Sequence, residues 1–128
     1  MAIAIVGNDG NPLTTRDIDG SAENFVLVTG RLTFSGSYVT GGDTLDWTTV
    51  AGIPIPSQQC LQVAIWSQGG LLTVTYAPIG TGATALNAWK VKITSAAFGT
   101  ELAAGAYPGA ITADIVVFQA VFRKLLQG

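Results

Sequence analysis

Histidine is absent from the 128 residues, and cysteine occurs once, at position 60. The first absence removes the commonest general base and the commonest metal ligand together. Without His, a Ser–His–acid triad cannot be built. A single Cys60 excludes an internal disulfide framework and a cysteine-based zinc cage. Beside Leu61 in an apolar segment, it reads as a small buried hydrophobe rather than a reactive thiol. No apolar run approaches the roughly 18 residues needed to cross a bilayer. The opening "MAIAIVGNDGNPL" turns polar after six residues, so neither a membrane helix nor a secretory leader is expected. Six Lys and Arg against eight Asp and Glu form no basic patch for a phosphate backbone. No nucleic-acid or membrane partner is therefore expected.

Charge of either sign is what the chain has least of: 11% of its residues are charged, against roughly 25% in an ordinary domain. A folded chain of this mass exposes about 6,400 Å², hence about one charge per 460 Å² where about one per 200 Å² is usual. With 48% hydrophobic residues as well, such a surface is expected to be covered by copies of the chain or by a larger assembly.

What is present reads as β-structure. In "NFVLVTGRLTFS" (residues 24–35), Val26, Val28, Leu32 and Phe34 share one face, and Thr29, Arg31, Thr33 and Ser35 the other. Gly30 breaks the apolar row and marks a bulge or a close crossing. The stretch from Gly36 to Pro56 is irregular, and Pro54 and Pro56 forbid a central strand there. "CLQVAIWS" (60–67) and "LLTVTYAP" (71–78), joined by "QGG", predict a tight hairpin. "AWKVKITS" (88–95) alternates Trp89, Val91 and Ile93 with Lys90, Lys92 and Thr94, a half-buried strand. The small-residue segment 96–110 has room for one helical turn, around Glu101 to Ala104. The last strand, Thr112 to Lys124, is apolar on both faces, so it is central in a sandwich or covered by a neighbour. The expected fold is all-β: an antiparallel, jelly-roll-like β-sandwich or a small barrel over residues 24–128. Residues 1–23 form an N-terminal arm or edge segment. "AIAIV" within it is suited to pair at a sheet edge, in this subunit or the next.

Candidates for chemistry are few. Asp43 and Asp46, three apart in a glycine-rich loop, are the nearest approach to a carboxylate pair for acid–base work. Asp and Gly also belong in such loops for turn geometry alone, and Asp43 reads as a turn cap. Asp17 with Asp19, and Glu101, are the remaining acids weighed. "DIDGS" (17–21) has the look of a calcium loop, but an EF-hand starting at Asp17 wants Glu where Val28 stands. "GTG" (80–82) lacks the third glycine and the helix of a nucleotide loop. No metal, cofactor or catalytic residue is therefore assigned, and a non-enzymatic protein is expected. Tyr38, Trp47 and Tyr107 lie outside obvious strands, where planar side chains stack on sugars or anchor a protein partner. Trp66 and Trp89, in strands, read as core.

Two blocks carry a resemblance. "VTGRLTFSGSYVTGGDTLDW" (28–47) and "AGAYPGAITADIVVFQAVFRKL" (104–125) resemble small virion proteins of tailed bacteriophages. In those proteins a strand ending T-F-S-G-S-Y runs into T-G-G-D and a hydrophobic residue. The resemblance covers about a third of the chain, and residues 1–23 lie outside it. It implies a β-rich capsid decoration (cement) protein without enzymatic activity, trimeric on the head surface, with the major capsid protein as partner. The alternative from another class is a carbohydrate-binding or host-recognition module of a tail or fibre. Long apolar side chains without a strand partner are expected at the contacts: Tyr38, Leu45, Trp47 and Tyr107, with Ile3, Ile5 and Val6 adding at an edge.

Overall fold

A computed structural model describes residues 3–21, 24–50 and 59–123. Its strands are β1 (Ile3–Val6), β2 (Ile18–Asp19), β3 (Phe25–Phe34), β4 (Ser37–Tyr38), β5 (Asp43–Leu45), β6 (Cys60–Ser67), β7 (Val74–Ile79), β8 (Trp89–Ser95), β9 (Gly105–Ala106) and β10 (Val116–Arg123). Helix α1, Gly109–Thr112, is four residues long. No helix among the described residues is long and apolar enough to cross a membrane.

One sheet has the order β1–β3–β10–β6, with β2 adding to β3; a second has the order β5–β8–β7; β4 and β9 form a separate ribbon. Every pairing is antiparallel. The larger sheets remain separate ladders packed face to face, so the fold is a β-sandwich and not a closed barrel. The core lies between them. From the five-stranded sheet come Val28, Leu32, Phe118, Ala120 and Phe122, and from the three-stranded sheet Leu45, Trp89, Val91 and Ile93.

Period-2 patterning accounts for the long strands. Val26, Val28, Leu32 and Phe34 of β3 point inward as their alternation requires, and Trp89, Val91 and Ile93 of β8 do the same. Gly30 sits where the chain passes closely. A Cβ there would collide with the Val6 carbonyl and approach Phe118 Cε1 to 2.9 Å, so the position is a crossing. β10 lies between β3 and β6, which explains its apolar inner row; on its outer face Val117 is 9% exposed, Val121 is half-buried and Ile115, just before it, is exposed.

Three local expectations are corrected. Residues 60–67 and 71–78 do not form a hairpin. β6 pairs with β10 and β7 with β8, so the connection crosses from one sheet to the other, and Gln68 donates its N–H to the Ile115 carbonyl at 2.7 Å. The helical turn falls at Gly109–Thr112, after Pro108, rather than at Glu101, which bridges to Thr94 instead. The last strand starts at Val116, because α1 takes up Thr112. Pro54, Pro56 and Lys124 lie outside the described residues.

Candidate functional site

The corner formed by residues 36–47 turns twice on glycine. Gly41 and Gly42 have φ of 93° and 108°, and a Cβ at Gly42 would stand 2.7 Å from the Val91 carbonyl oxygen. Tyr38 then swings under the corner, where its hydroxyl donates to Glu101 at 2.8 Å and accepts from the Ile93 N–H at 3.2 Å. Glu101 also takes the Gly41 N–H at 2.5 Å. Burial, against the lowering effect of the Ile93 N–H, raises the Tyr38 phenol to about 12. The Gly41 N–H, followed by the Tyr38 hydroxyl, holds the Glu101 carboxyl below its ordinary value.

All three tyrosines of the chain are tied in this way. Tyr107 donates to Asp43, and Tyr76 donates to Asp114 at 2.9 Å. Asp114 also accepts from the Ser67 hydroxyl at 2.8 Å, and Ser67 in turn accepts the Leu71 N–H at 3.0 Å. Phe34 stacks between Tyr76 and Tyr107, at centroid distances of 5.6 and 5.4 Å. Burial raises the Tyr76 and Tyr107 phenols, and their carboxylate partners raise them further. Each hydroxyl therefore remains a proton donor. The three bonds cross-tie the end of the sandwich where the connections 68–73, 96–104 and 107–115 meet.

These ties decide what the weighed acids can do. Asp43, in β5, is buried and accepts from Tyr107; it does not cap a turn. Asp46 caps a short 3-10 turn, taking the Thr48 N–H at 2.9 Å. The two carboxylates serve different partners and are not assembled as a pair. Asp17 takes both an N–H and the amide of Asn8 at 3.0 and 2.8 Å, and the N–H and hydroxyl of Thr14 at 2.9 and 3.3 Å. Those donors, the Asn8 N–H foremost, hold its carboxyl below the ordinary value. A carboxylate surrounded by N–H donors faces positive dipoles already, which opposes a cation. No cluster of three or more metal-ligating side chains occurs among the described residues. Burial pushes the Cys60 thiol up to about 12, so it stays protonated and unreactive.

The predicted contact residues need correction. Ile3, Tyr38, Leu45, Trp47 and Tyr107 are all buried in this chain's own core, with Leu45 and Trp47 at 0% exposure. Leu45 lies opposite Trp89 on β8, and the Trp47 indole meets Phe118 and Phe122 edge-on at 5.4 and 5.2 Å. Their side chains are closed to a partner. Ile5 and Val6 are half-buried, and β1 pairs with β3 of the same chain through Ile5 opposite Leu32 and Val6 opposite Arg31.

The exposed apolar side chains are others. At the tied end, Leu72 is 84% and Phe98 87% exposed, and Trp66 is 47% exposed on the sheet's outer face. Leu71 packs on the core while Leu72, its neighbour in the crossing, points away. A tight turn, with the Gly99 N–H bonded to the Ser95 carbonyl at 2.8 Å, pushes Phe98 outward. A groove of about 360 Å³ runs past Trp66, Leu71, Leu72, Val74 and Ala96. Trp66, expected in the core from its strand position, lies instead opposite Val117 on the face of β6 turned away from the second sheet. In the sequence only the doubled Leu71–Leu72 and the isolated Phe98 beside Gly99 signalled this rim.

No family model, no curated protein and no solved structure matches this chain.

Proposed function

We propose that this chain is a non-enzymatic structural protein of a virion, a capsid decoration protein that binds the major capsid protein as a homo-oligomer, a trimer by the resemblance. The observation that supports this reading is the apolar rim of Leu72, Phe98 and Ile115 on an end held by three tyrosine–carboxylate bonds. Large apolar side chains at this exposure, on a chain with 11% charged residues, are the composition of a surface that another chain covers. Rigid ties reduce the ordering cost of association, and repetition around a shell multiplies modest affinities. The contact surface proposed is thus this rim and not the buried Trp47 and Tyr38.

Two measurements test the reading. Wild-type protein should co-sediment with capsids of its own virus, and a Leu72→Asp, Phe98→Asp double variant should not, while its circular dichroism stays β. Failure of the wild type to sediment, or undiminished binding by the variant, overturns it. In light scattering the protein should exceed its 13.2 kDa monomer mass; a monomer at micromolar concentration removes the oligomer.

A further inference from the structure

We infer that the outer face of the five-stranded sheet carries a saccharide-binding groove built on Trp66. It adjoins the apolar rim, sharing Trp66 with the groove beside Leu72, and goes beyond the decoration role. Antiparallel register places residues in rows across this face. One row runs Arg31–Val117–Trp66, and the next runs Thr29–Gln119–Ala64. Neighbouring strands lie about 4.8 Å apart, so the indole and the guanidinium stand on backbones about 10 Å apart, either side of Val117. Val117, 9% exposed, is the floor. Along these rows lies a groove of about 460 Å³ bordered by Asn8, Thr29, Arg31, Trp66, Gln68 and Gln119. Small-molecule sites fall in the range of about 300–1,000 Å³.

The chemistry of that border is that of sugar recognition. A pyranose presents a flat face of C–H groups and an edge of hydroxyls. The half-exposed indole offers a planar platform for the first. For the second, planar amides and a guanidinium supply donors and acceptors in fixed directions. Arg31 is half-buried, its Nε itself covered and without a hydrogen-bond partner among the described residues. Asn8 directs its amide nitrogen to the Thr29 hydroxyl at 2.9 Å and to Asp17 at 2.8 Å, which fixes the side chain. Gln68 and Gln119 are exposed. A saccharide ring matches both the apolar and the polar half of this border.

The wild-type protein should bind in a saturable way to at least one member of an array of neutral and sialylated oligosaccharides. Binding should alter tryptophan emission, since Trp66 is 47% exposed while Trp47 and Trp89 are 0% and 2% exposed. Trp66→Ala and, independently, Gln119→Ala should each weaken binding to that oligosaccharide by tenfold or more, with the β circular dichroism unchanged. Phe98→Asp should leave it intact, which separates sugar binding from the proposed capsid contact. A silent array overturns the inference, as does binding that both groove variants retain. A change of oligomeric state in Trp66→Ala without any sugar binding also overturns it, and assigns the face to a second copy of the chain.

Discussion

The corner at residues 36–47 and the outer face around Trp66 are built from similar residues: aromatics, small residues and polar side chains. In the corner the hydroxyls and carboxylates are engaged, although the buried Trp47 Nε1 has no hydrogen-bond partner among the described residues. Tyr38, Tyr107, Asp43, Asp46 and Glu101 all have hydrogen-bond partners, and Trp47 is packed against two phenylalanines. On the outer face the indole is half-exposed, and Gln68 and Gln119 beside it are exposed. A polar group bonded within its own chain contributes to the fold, and binding anything else would first require breaking that bond. The corner is therefore scaffold, and the open face and the neighbouring rim are where recognition can occur.

The largest effect that would break this comparison is on the two tryptophans. Trp47→Ala should cost about 3–5 kcal/mol of unfolding free energy, the loss typical of emptying a buried aromatic site. Trp66→Ala, on the surface, should cost under about 1 kcal/mol. Denaturant melts of the two variants measure both. Equal losses would mean that the outer face is as structural as the corner.

A smaller effect is expected from Tyr107→Phe, which removes one hydroxyl and leaves the buried Asp43 without that donor. The loss should be about 1–3 kcal/mol, the cost of an unsatisfied buried acceptor. Asp43→Asn in the same background should recover part of it, since a neutral amide tolerates burial better than a carboxylate. No loss in Tyr107→Phe would show that the tie contributes nothing to the corner.

The smallest effect is a pH dependence. The Glu101 carboxyl is held below its ordinary value of 4.5 by the Gly41 N–H and the Tyr38 hydroxyl. A carboxyl depressed in the folded state adds stability above its unfolded pKa and loses it as pH falls through the folded one. Wild-type melting temperature should therefore drop below about pH 4.5, and Glu101→Gln should flatten that part of the acid limb. An unchanged limb would show that the tie is open in solution.

Much of the scaffold was legible in the chain. Strict alternation in 24–35 and 88–95 specified both strands and their inner faces, because one residue of slip would turn every apolar side chain to water. The same rule misjudged β6. Its ladder with β10 shifts between Val121 and Phe122, so that Phe122 lies opposite Cys60 and Val121 opposite Gln62, and Leu61 is left between them. With inner positions at Cys60, Val63, Ile65 and Ser67, Trp66 falls outside. The hairpin reading of 60–78 failed for another reason. A tight turn and two apolar runs suit a hairpin and a sheet-to-sheet crossing equally, and only the competing partners β10 and β8 decide between them.

By itself the sequence determined an all-β chain, the inner faces of its regular strands, and a surface poor in charge, since these follow from local periodicity and composition. Tertiary structure alone decided which aromatics outside that periodicity are covered. Tyr38 lies in the two-residue β4 and Trp47 in a short 3-10 turn, and their burial depends on Phe118, Phe122 and Glu101, more than sixty residues away in the chain. Trp66 and Leu72 were left exposed by the same packing, because the register of β10 and the crossing to β7 turn them away from the core. Burial is a property of neighbours in space, and those neighbours are set by sheet pairing across the whole chain.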